Sequence, residues 1–405
     1  GRLNYSFKSK YMAQVTLRKD GSSKFGANSR WGYFPSVALG WRISQEDFFP
    51  NSSVFTDLKL RASWGRLGNE VALGKYDFVS LVSTSNTKAQ GYVRGKGANP
   101  WPGSISRELE NRGLKWETSD NKNIGLDFGL LKNRLTGSIN VFANETQDLL
   151  ITKVLPPSAG LNNPTLNVGK MLNSGVELEL QWKDTFKDLN YNVGLNLSTL
   201  HNKVLSLSDE RQAIYGEGLK YGSEHFPTQT RIGLPIGSFY LYKTNGIFQS
   251  SEEVAAHKGI HGPLQPNAKP GDIRYVDTNG DGLINEDDKV FCGTGMPKLE
   301  ANLSFSGTYK GFDLSMLLSG AFGHKLYNGN RYFYEGMNSG SNFLKSTLNA
   351  WTPENRDTNI PRAVYSDPNG NLLESERFLE SGDFIRLRQL QIGYSIPMSV
   401  TNKLQ

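Results

Sequence analysis

The chain has 405 residues, a formal net charge of +6 and a hydrophobic content of 37%. Its Lys and Arg residues are scattered, which argues against nucleic-acid binding because such surfaces concentrate basic residues in one patch. The single cysteine, Cys292, excludes an internal disulfide and has no CxxC partner for metal or redox chemistry. No apolar run approaches the ~20 residues that a membrane-spanning helix needs.

Apolar and polar residues alternate in eleven long stretches, the pattern of β-strands with one apolar face. In chain order these stretches are 3–7, 11–17, 37–43, 58–64, 124–130, 135–143, 176–182, 191–197, 299–309, 312–322 and 385–396. The chain shows no signal-peptide pattern, begins inside the first stretch and ends soon after the last. We therefore expect it to be a piece of a longer protein.

The clearest strand pair is the predicted hairpin 299–322, which turns at Lys310-Gly311. Each arm has about eleven residues, which at roughly 3.3 Å per residue and a ~40° tilt spans about 25–28 Å. This is longer than a usual globular strand and matches the apolar band of an outer-membrane barrel. We expect lipid to meet the apolar face of the hairpin.

Short and long connections alternate between the predicted strands. The short ones are 9–10, 45–55, 131–134, 183–189 and 310–311, and the long ones are 19–32, 67–119, 147–170, 202–297 and 323–382. Alternate connections of an up-and-down sheet lie at the same end, so the long loops gather on one side. The sequence thus predicts an all-β fold, a transmembrane antiparallel up-and-down β-barrel with long extracellular loops; a soluble β-sandwich is the alternative.

Several motifs resemble one family in order along nearly the whole chain. They are Asp20-Gly-Ser-Ser-Lys-Phe-Gly26, Arg30-Trp-Gly-Tyr-Phe-Pro-Ser-Val-Ala-Leu-Gly-Trp-Arg42, Leu58-Lys-Leu-Arg-Ala-Ser-Trp-Gly65 with Gly68-Asn69, Trp351-Thr-Pro-Glu-Asn355 and Phe384-Ile-Arg-Leu-Arg388 with Gly393-Tyr394. Together with the hairpin they resemble the SusC/RagA-type TonB-linked outer-membrane proteins. The resemblance implies part of a 22-stranded TonB-dependent transporter barrel that imports oligosaccharides or peptides. It also implies a SusD-like lipoprotein lid, the TonB complex and outer-membrane lipid as partners.

The chain departs from that family pattern at both ends. From the resemblance we expect it to be without the N-terminal plug domain, the TonB-box region and the last two or so strands of such barrels. We therefore expect residues 1–405 to be the C-terminal portion of the barrel, with 202–297 as a long extracellular loop. An unfinished sheet leaves edge hydrogen-bonding groups that lipid cannot satisfy, so import requires the rest of the protein.

An EF-hand-like loop at 277–288 is the sharpest local motif. Oxygen-bearing side chains recur with the loop spacing, Gly282 occupies the turn position, and Asp288 replaces the usual closing Glu. The predicted ligands are Asp277, Asn279, Asp281, the backbone carbonyl of Leu283, Asn285 and Asp288. We expect a structural Ca2+ that orders the longest loop; an Asn-Gly/Asp-Gly turn that only caps the next strand is the alternative.

Aromatic residues of the long loops are candidates for contact with the ligand or the lid, because flat rings beside polar groups stack on sugars and anchor interfaces. Packing of loops against each other is the alternative. The candidates are Tyr92, Trp101, Tyr215, Tyr221, Phe226, Tyr327, Tyr332, Phe333 and Tyr334.

Catalytic signatures are weak, and we predict no enzyme and no catalytic residues. His257 and His261 flank a loop glycine, and Gly91–Gly97 lacks the Ser/Thr of a P-loop. Two other functions stay open at this point: an outer-membrane adhesin or structural barrel, and a soluble calcium-dependent glycan-binding or glycan-cleaving β-protein.

Overall fold

The computed structural model describes residues 1–50, 54–85, 102–106, 108–152, 157–207, 213–216, 219–220, 224–338, 340 and 342–396. Two compact units are present: Gly1–Glu210 with Asn302–Leu318 and Leu387–Gln405, and Arg211–Ala301 with Ser319–Arg386. No helix among these residues is long and apolar enough to cross a membrane.

Twelve strands form one large sheet. They are β1 (Arg2–Phe7), β2 (Tyr11–Gly21), β3 (Trp31–Arg42), β4 (Phe55–Asn69), β5 (Glu117–Leu130), β6 (Leu135–Gln147), β7 (Lys170–Phe186), β8 (Leu189–Thr199), β9 (His201–Ser206), β10 (Leu299–Tyr309), β11 (Phe312–Phe322) and β12 (Phe384–Tyr394). All except β9 follow one another in chain order, and β9 pairs with β7. The prediction of eleven long up-and-down strands is confirmed.

The sheet has one apolar and one polar face. Ile124 pairs with Ala62 and Val141, and Val141 pairs with Val176, so these four side chains share a face. Ile124, Val141 and Val176 expose 61%, 53% and 43% of their surface. We call this face, with its apolar rows, the outward face.

The opposite face carries polar side chains, and we call it the inner face. Arg61 pairs with Asp127 through two hydrogen bonds of 2.8 and 2.6 Å and donates to Asn140 at 3.0 Å. Towards the short turns, polar and charged residues line a cavity of about 730 Å³ that includes Asn192 and Ser306. Exposed apolar residues on one face and polar residues on the other fit strands between lipid and a wet interior.

Two-residue turns with positive φ join the predicted hairpin arms. Lys310 and Gly311 have φ angles of 49° and 89°, which matches the right-handed twist of the flanking strands. A Cβ on Gly311 would lie 3.2 Å from the carbonyl oxygen of Ser395, so glycine suits both the conformation and the space. The predicted turn at 310–311 is confirmed.

Strand pairing extends into several of the predicted connections, as two of the long ones show. Pairing of β2 with β3 continues to Lys19–Tyr33 and Gly21–Trp31, so this connection shrinks to 22–30 and is shorter than 43–54. The strict alternation of short and long connections is therefore wrong at this point. The long loop predicted from Asn202 begins after Ser206, because β9 still pairs along β7.

Part of the Asp20–Gly26 motif forms a small apolar core. Phe25 and Leu114 are fully buried and Leu73 is nearly so, with Trp116 packed against them. The Trp116 ring centroid lies 4.8 Å from that of Phe25, and its indole donates to the Ser29 carbonyl at 3.1 Å. The motif thus joins the connections 22–30 and 70–116 by packing.

Short elements occupy the connections, most of them the long ones. The helices are α1 (Ser251–Ala256) and α2 (Gly329–Tyr334), with 3-10 turns at Ile43–Gln45, Pro157–Ala159, Glu286–Asp288, Lys345–Asn349 and Glu376–Phe378. A four-stranded sheet contains Ala213–Tyr215, Thr228–Arg231, Ser238–Leu241 and Val290–Gly293. Two-stranded ribbons pair Val82–Ser85 with Gly103–Ser106, Leu150–Thr152 with Thr165–Asn167, Leu219–Lys220 with Glu224–His225, Thr244–Ile247 with Ile273–Tyr275, Lys258–Gly259 with Gly262–Pro263, and Lys325–Tyr327 with Leu379–Ser381.

Candidate cation loop and its supporting loop unit

The two longest connections fold together into one unit, residues 211–301 and 319–386, called the loop unit below. Its core contains Tyr242, Ile247, Ile273 and Tyr275 from the first connection and Trp351 from the second. The Trp351 indole donates to Gln249 Oε1 at 2.9 Å. An apolar core with a satisfied indole N–H gives these loops a packed structure of their own.

A buried ion pair, the Asp272–Arg362 clasp, also joins the two connections. Arg362 donates from Nε to Asp272 Oδ1 at 2.7 Å and from Nη2 to Oδ2 at 3.1 Å. Asp272 is fully buried and also accepts from Asn371 Nδ2 and the Lys269 amide. The carboxylate is therefore completely enclosed by donors, which offsets the cost of burying its charge.

A second clasp follows the candidate cation loop directly. The buried Lys289 ammonium contacts Glu374 and donates to Glu286 Oε1 and Oε2 at 2.8 and 2.7 Å. Tyr242 donates to Glu286 Oε1 at 3.4 Å. Burial, and then the nearby Glu286 carboxylate, raise the pKa of Tyr242, so its hydroxyl stays protonated as a donor.

The predicted cation loop brings three carboxylates together. One oxygen from each of Asp277, Asp281 and Asp288 lies within 4.8 Å of the others. Asp277 accepts from the Gly280 amide at 2.7 Å and the Gly282 amide at 2.8 Å, so the chain folds around this side chain. Gly282 has φ of 83°, which supplies the sharp turn that the motif requires.

Asp288 closes the loop from inside the loop unit. It is fully buried, with Oδ1 accepting from the Thr278 amide at 2.8 Å and Oδ2 from the Asn285 amide at 2.9 Å. Asn285 and Asp288 form a capping box on the 3-10 turn Glu286–Asp288. Asp288, which departs from the EF-hand pattern, is thus held in place by hydrogen bonds from backbone amides to its carboxylate.

Asp281, like Asp277, is half-buried, and it also accepts several hydrogen bonds. The Leu283 amide donates to Oδ1 at 2.9 Å, and the side-chain amides of Asn279 and Asn285 donate to Oδ2 at 3.0 and 3.3 Å. The Leu283 bond, and then the Asn279 bond, lower the pKa of Asp281. The carboxylate therefore stays ionised well below neutral pH.

Three of the six predicted ligand residues, Asp277, Asp281 and Asp288, thus bring carboxylate oxygens together. Asn279 and Asn285 lie beside them and donate to Asp281, and Leu283 was predicted to contribute its backbone carbonyl. Carboxylate and carbonyl oxygens in this number suit a hard cation such as Ca2+. The assignment of a cation stays a prediction.

The predicted aromatic contacts divide by exposure. Tyr215 and Tyr334 expose 51% and 47% of their surface, and Tyr215 lies 5.4 Å from Phe226 between ring centroids. These rings stay candidates for ligand or lid contact. The predicted residues Tyr92, Trp101 and Tyr221 lie outside the described part of the chain.

Other predicted aromatics pack inside the loop unit. Tyr332 is buried, with its ring 5.2 Å from Phe333 and 5.6 Å from Phe378. Tyr327 lies 5.7 Å from the same Phe378 ring. Packing of loops accounts for these contacts.

Sequence reasoning missed the residues of the two clasps. Asp272 and Arg362 are 90 residues apart, and Lys289 and Glu374 are 85 residues apart. No local pattern marks such pairs.

A family model described as "TonB dependent receptor-like, beta-barrel" matches residues 1–397. The chain belongs to this family. It is 33% identical over 406 aligned residues to TonB-dependent receptor P26 of Formosa agariphila, covering 98% of the chain and 39% of that protein. It is 30% identical to TonB-dependent receptor SusC of Bacteroides thetaiotaomicron, covering 98% of the chain and 37% of that protein.

Solved structures agree with the fold of this TonB-dependent receptor barrel. The RagAB peptide transporter structure matches with a TM-score of 0.79 and 26% identity, over 98% of the chain and 41% of the solved chain. The SusC/RagA resemblance and the transmembrane barrel fold are thereby confirmed. The chain spans about two fifths of the length of these relatives. The family is one of transport receptors, not of enzymes.

Proposed function

We propose that this chain supplies barrel strands and extracellular loops to an outer-membrane TonB-dependent importer of oligosaccharides or peptides. The observation that carries the proposal is the family match over 1–397, combined with a sheet of one apolar and one polar face. A SusD-like lipoprotein would cover the loop end and capture ligand with it. The relative named SusC and the solved RagAB peptide transporter support that partner and these substrate classes.

Import of this kind needs binding and movement rather than covalent chemistry. The loop unit would offer a packed, pre-organised surface, since the Asp272–Arg362 clasp fixes one connection against the other. Exposed rings such as Tyr215 and Tyr334 would contact ligand or lid. Energy would arrive through the TonB complex.

Uptake by a deletion strain tests the proposal. Cells lacking the gene should lose uptake of one labelled oligosaccharide or peptide pool, and the intact gene should restore it only when TonB is functional. Uptake that persists in the deletion strain would contradict import. Loss of surface attachment with normal uptake would favour an adhesin.

We also propose that the loop 277–288 binds a structural Ca2+. The three carboxylates within 4.8 Å, at the spacing of an EF-hand-like loop, support this. The ion would replace repulsion between Asp277, Asp281 and Asp288 by attraction, and would order the loop that leads into the Lys289–Glu374 clasp.

Calcium is expected to stabilise the loop unit against unfolding, by about 2.7 kcal/mol at a free concentration of a hundred times Kd. Asp281→Asn should raise Kd by roughly tenfold or more, because a ligand charge is lost. Asp287→Asn is the matched control, since Asp287 lies in the same segment but outside the three-carboxylate group. Isothermal titration and thermal unfolding of the full-length protein with Ca2+ or EDTA measure both effects; equal Kd values for the two variants would contradict the ligand assignment.

A further inference from the structure

A group of basic side chains lies on the outward face, just beyond the apolar rows. In one row of paired residues, Lys122 of β5 is opposite Ala143, Ala143 is opposite Ser174, and Ser174 is opposite His201. Paired residues of an antiparallel sheet share a face, and so do residues two apart on a strand. Lys122 therefore lies on the same face as Ile124, one step past the last apolar row.

The next rows add two further lysines. Leu172 of β7 is opposite Lys203 of β9, and Lys170 is opposite Gln147 of β6. Lys122, Lys170 and Lys203 are all exposed. We call these three residues the outward lysine patch; they come from three strands at the sheet end where the connections 70–116, 148–169 and 207–298 attach.

Nearby carboxylates neutralise only part of the positive charge. Arg66 holds Asp120 through two hydrogen bonds of 2.7 Å each. Glu145 accepts from Gln147 Nε2 at 2.9 Å, and its distance to Lys170 Nζ is 3.8 Å. Among the residues of this surface that the structure describes, four cationic side chains thus face two carboxylates, which leaves them a net positive charge.

We propose that the outward lysine patch binds the phosphate groups of lipid headgroups in the outer leaflet of the membrane. This rests on the proposed outer-membrane location and extends it to a particular lipid contact. The patch continues directly from the apolar rows, so a lipid whose chains cover Ile124 and Val176 presents its headgroup at the level of the lysines. An anionic phosphate there complements the net charge, and the contact weakens as salt screens it.

Lipid binding by the purified full-length protein tests this. The probe is a bisphosphorylated glycolipid of the lipid A type, compared with its dephosphorylated form, and apparent Kd is measured by native mass spectrometry. The variant Lys122→Gln/Lys170→Gln/Lys203→Gln should bind the phosphorylated lipid at least tenfold more weakly, since each lysine near a headgroup contributes about fivefold at low salt. The control is Lys8→Gln/Lys132→Gln/Lys187→Gln, three exposed lysines of the short turns.

The proposal is overturned by any of four results. They are a Kd within twofold of wild type for the patch variant, an equal loss in the control, no preference of the wild type for the phosphorylated lipid, or full displacement by millimolar inorganic phosphate. Native mass spectrometry measures lipid affinity, whereas the uptake assay measures import. Failure of this proposal and failure of the import proposal are therefore distinguishable results.

Discussion

Leu303→Arg is expected to lower the free energy of unfolding in a bilayer by roughly 2–4 kcal/mol. Leu303 in β10 is 37% exposed and next to Ser304, whose hydroxyl donates to the Gly194 carbonyl on the inner face at 3.4 Å. Because side chains alternate along a strand, Leu303 meets lipid, and a guanidinium there loses its hydration. Urea unfolding of protein refolded in vesicles, followed by tryptophan fluorescence, measures the loss.

Ser306→Arg on the same strand is the matched control. Ser306 lines the inner-face cavity of about 730 Å³ together with Asn192 and Thr308. A guanidinium can reach water and polar partners in that space, so we expect a change within about 1 kcal/mol. Similar losses for both arginine variants would show that the two faces are assigned incorrectly.

The strands could be predicted because period-two alternation is local information. The hairpin arms predicted at 299–309 and 312–322 agree with β10 and β11, and the turn falls at Lys310-Gly311. The acidic loop is local too: its spacing alone predicted that Asp277, Asp281 and Asp288 come together, as they do. The strands and the candidate cation loop could therefore be predicted, because residues close in sequence determine their geometry.

The connections were harder, because pairing can continue past the alternating pattern. The end of β2 next to the connection 22–30 does not show the alternating pattern, because Lys19 and Asp20 are both polar. Both residues nevertheless pair with β3. Phe25 in the adjacent motif read as a family signature, and only the structure shows it fully buried with Leu114. Contacts between segments that are distant in sequence produce no periodic pattern from which they could be predicted.

The Asp272–Arg362 clasp is such a contact, and Arg362→Met should lower the stability of the loop unit by roughly 3–5 kcal/mol. The variant keeps an unbranched apolar stem like that of arginine but leaves the buried Asp272 carboxylate with only the Asn371 and Lys269 donors. Hydrogen exchange of the full-length protein in lipid should then speed up across 211–301 and 319–386. Arg356→Met is the control, since Arg356 is exposed and its guanidinium donates to Pro353 in its own turn.

Loss of the clasp should also weaken calcium binding. Asp272 leads into the strand Ile273–Tyr275, which belongs to the loop-unit core, and the cation loop begins two residues later at Asp277. A loop that must first be ordered binds its ion less tightly by the free energy of ordering. Arg362→Met should therefore raise the calcium Kd while Arg356→Met leaves it unchanged. Equal Kd values with faster exchange in Arg362→Met would mean that the cation loop holds its geometry through its own hydrogen bonds to Asp277 and Asp288.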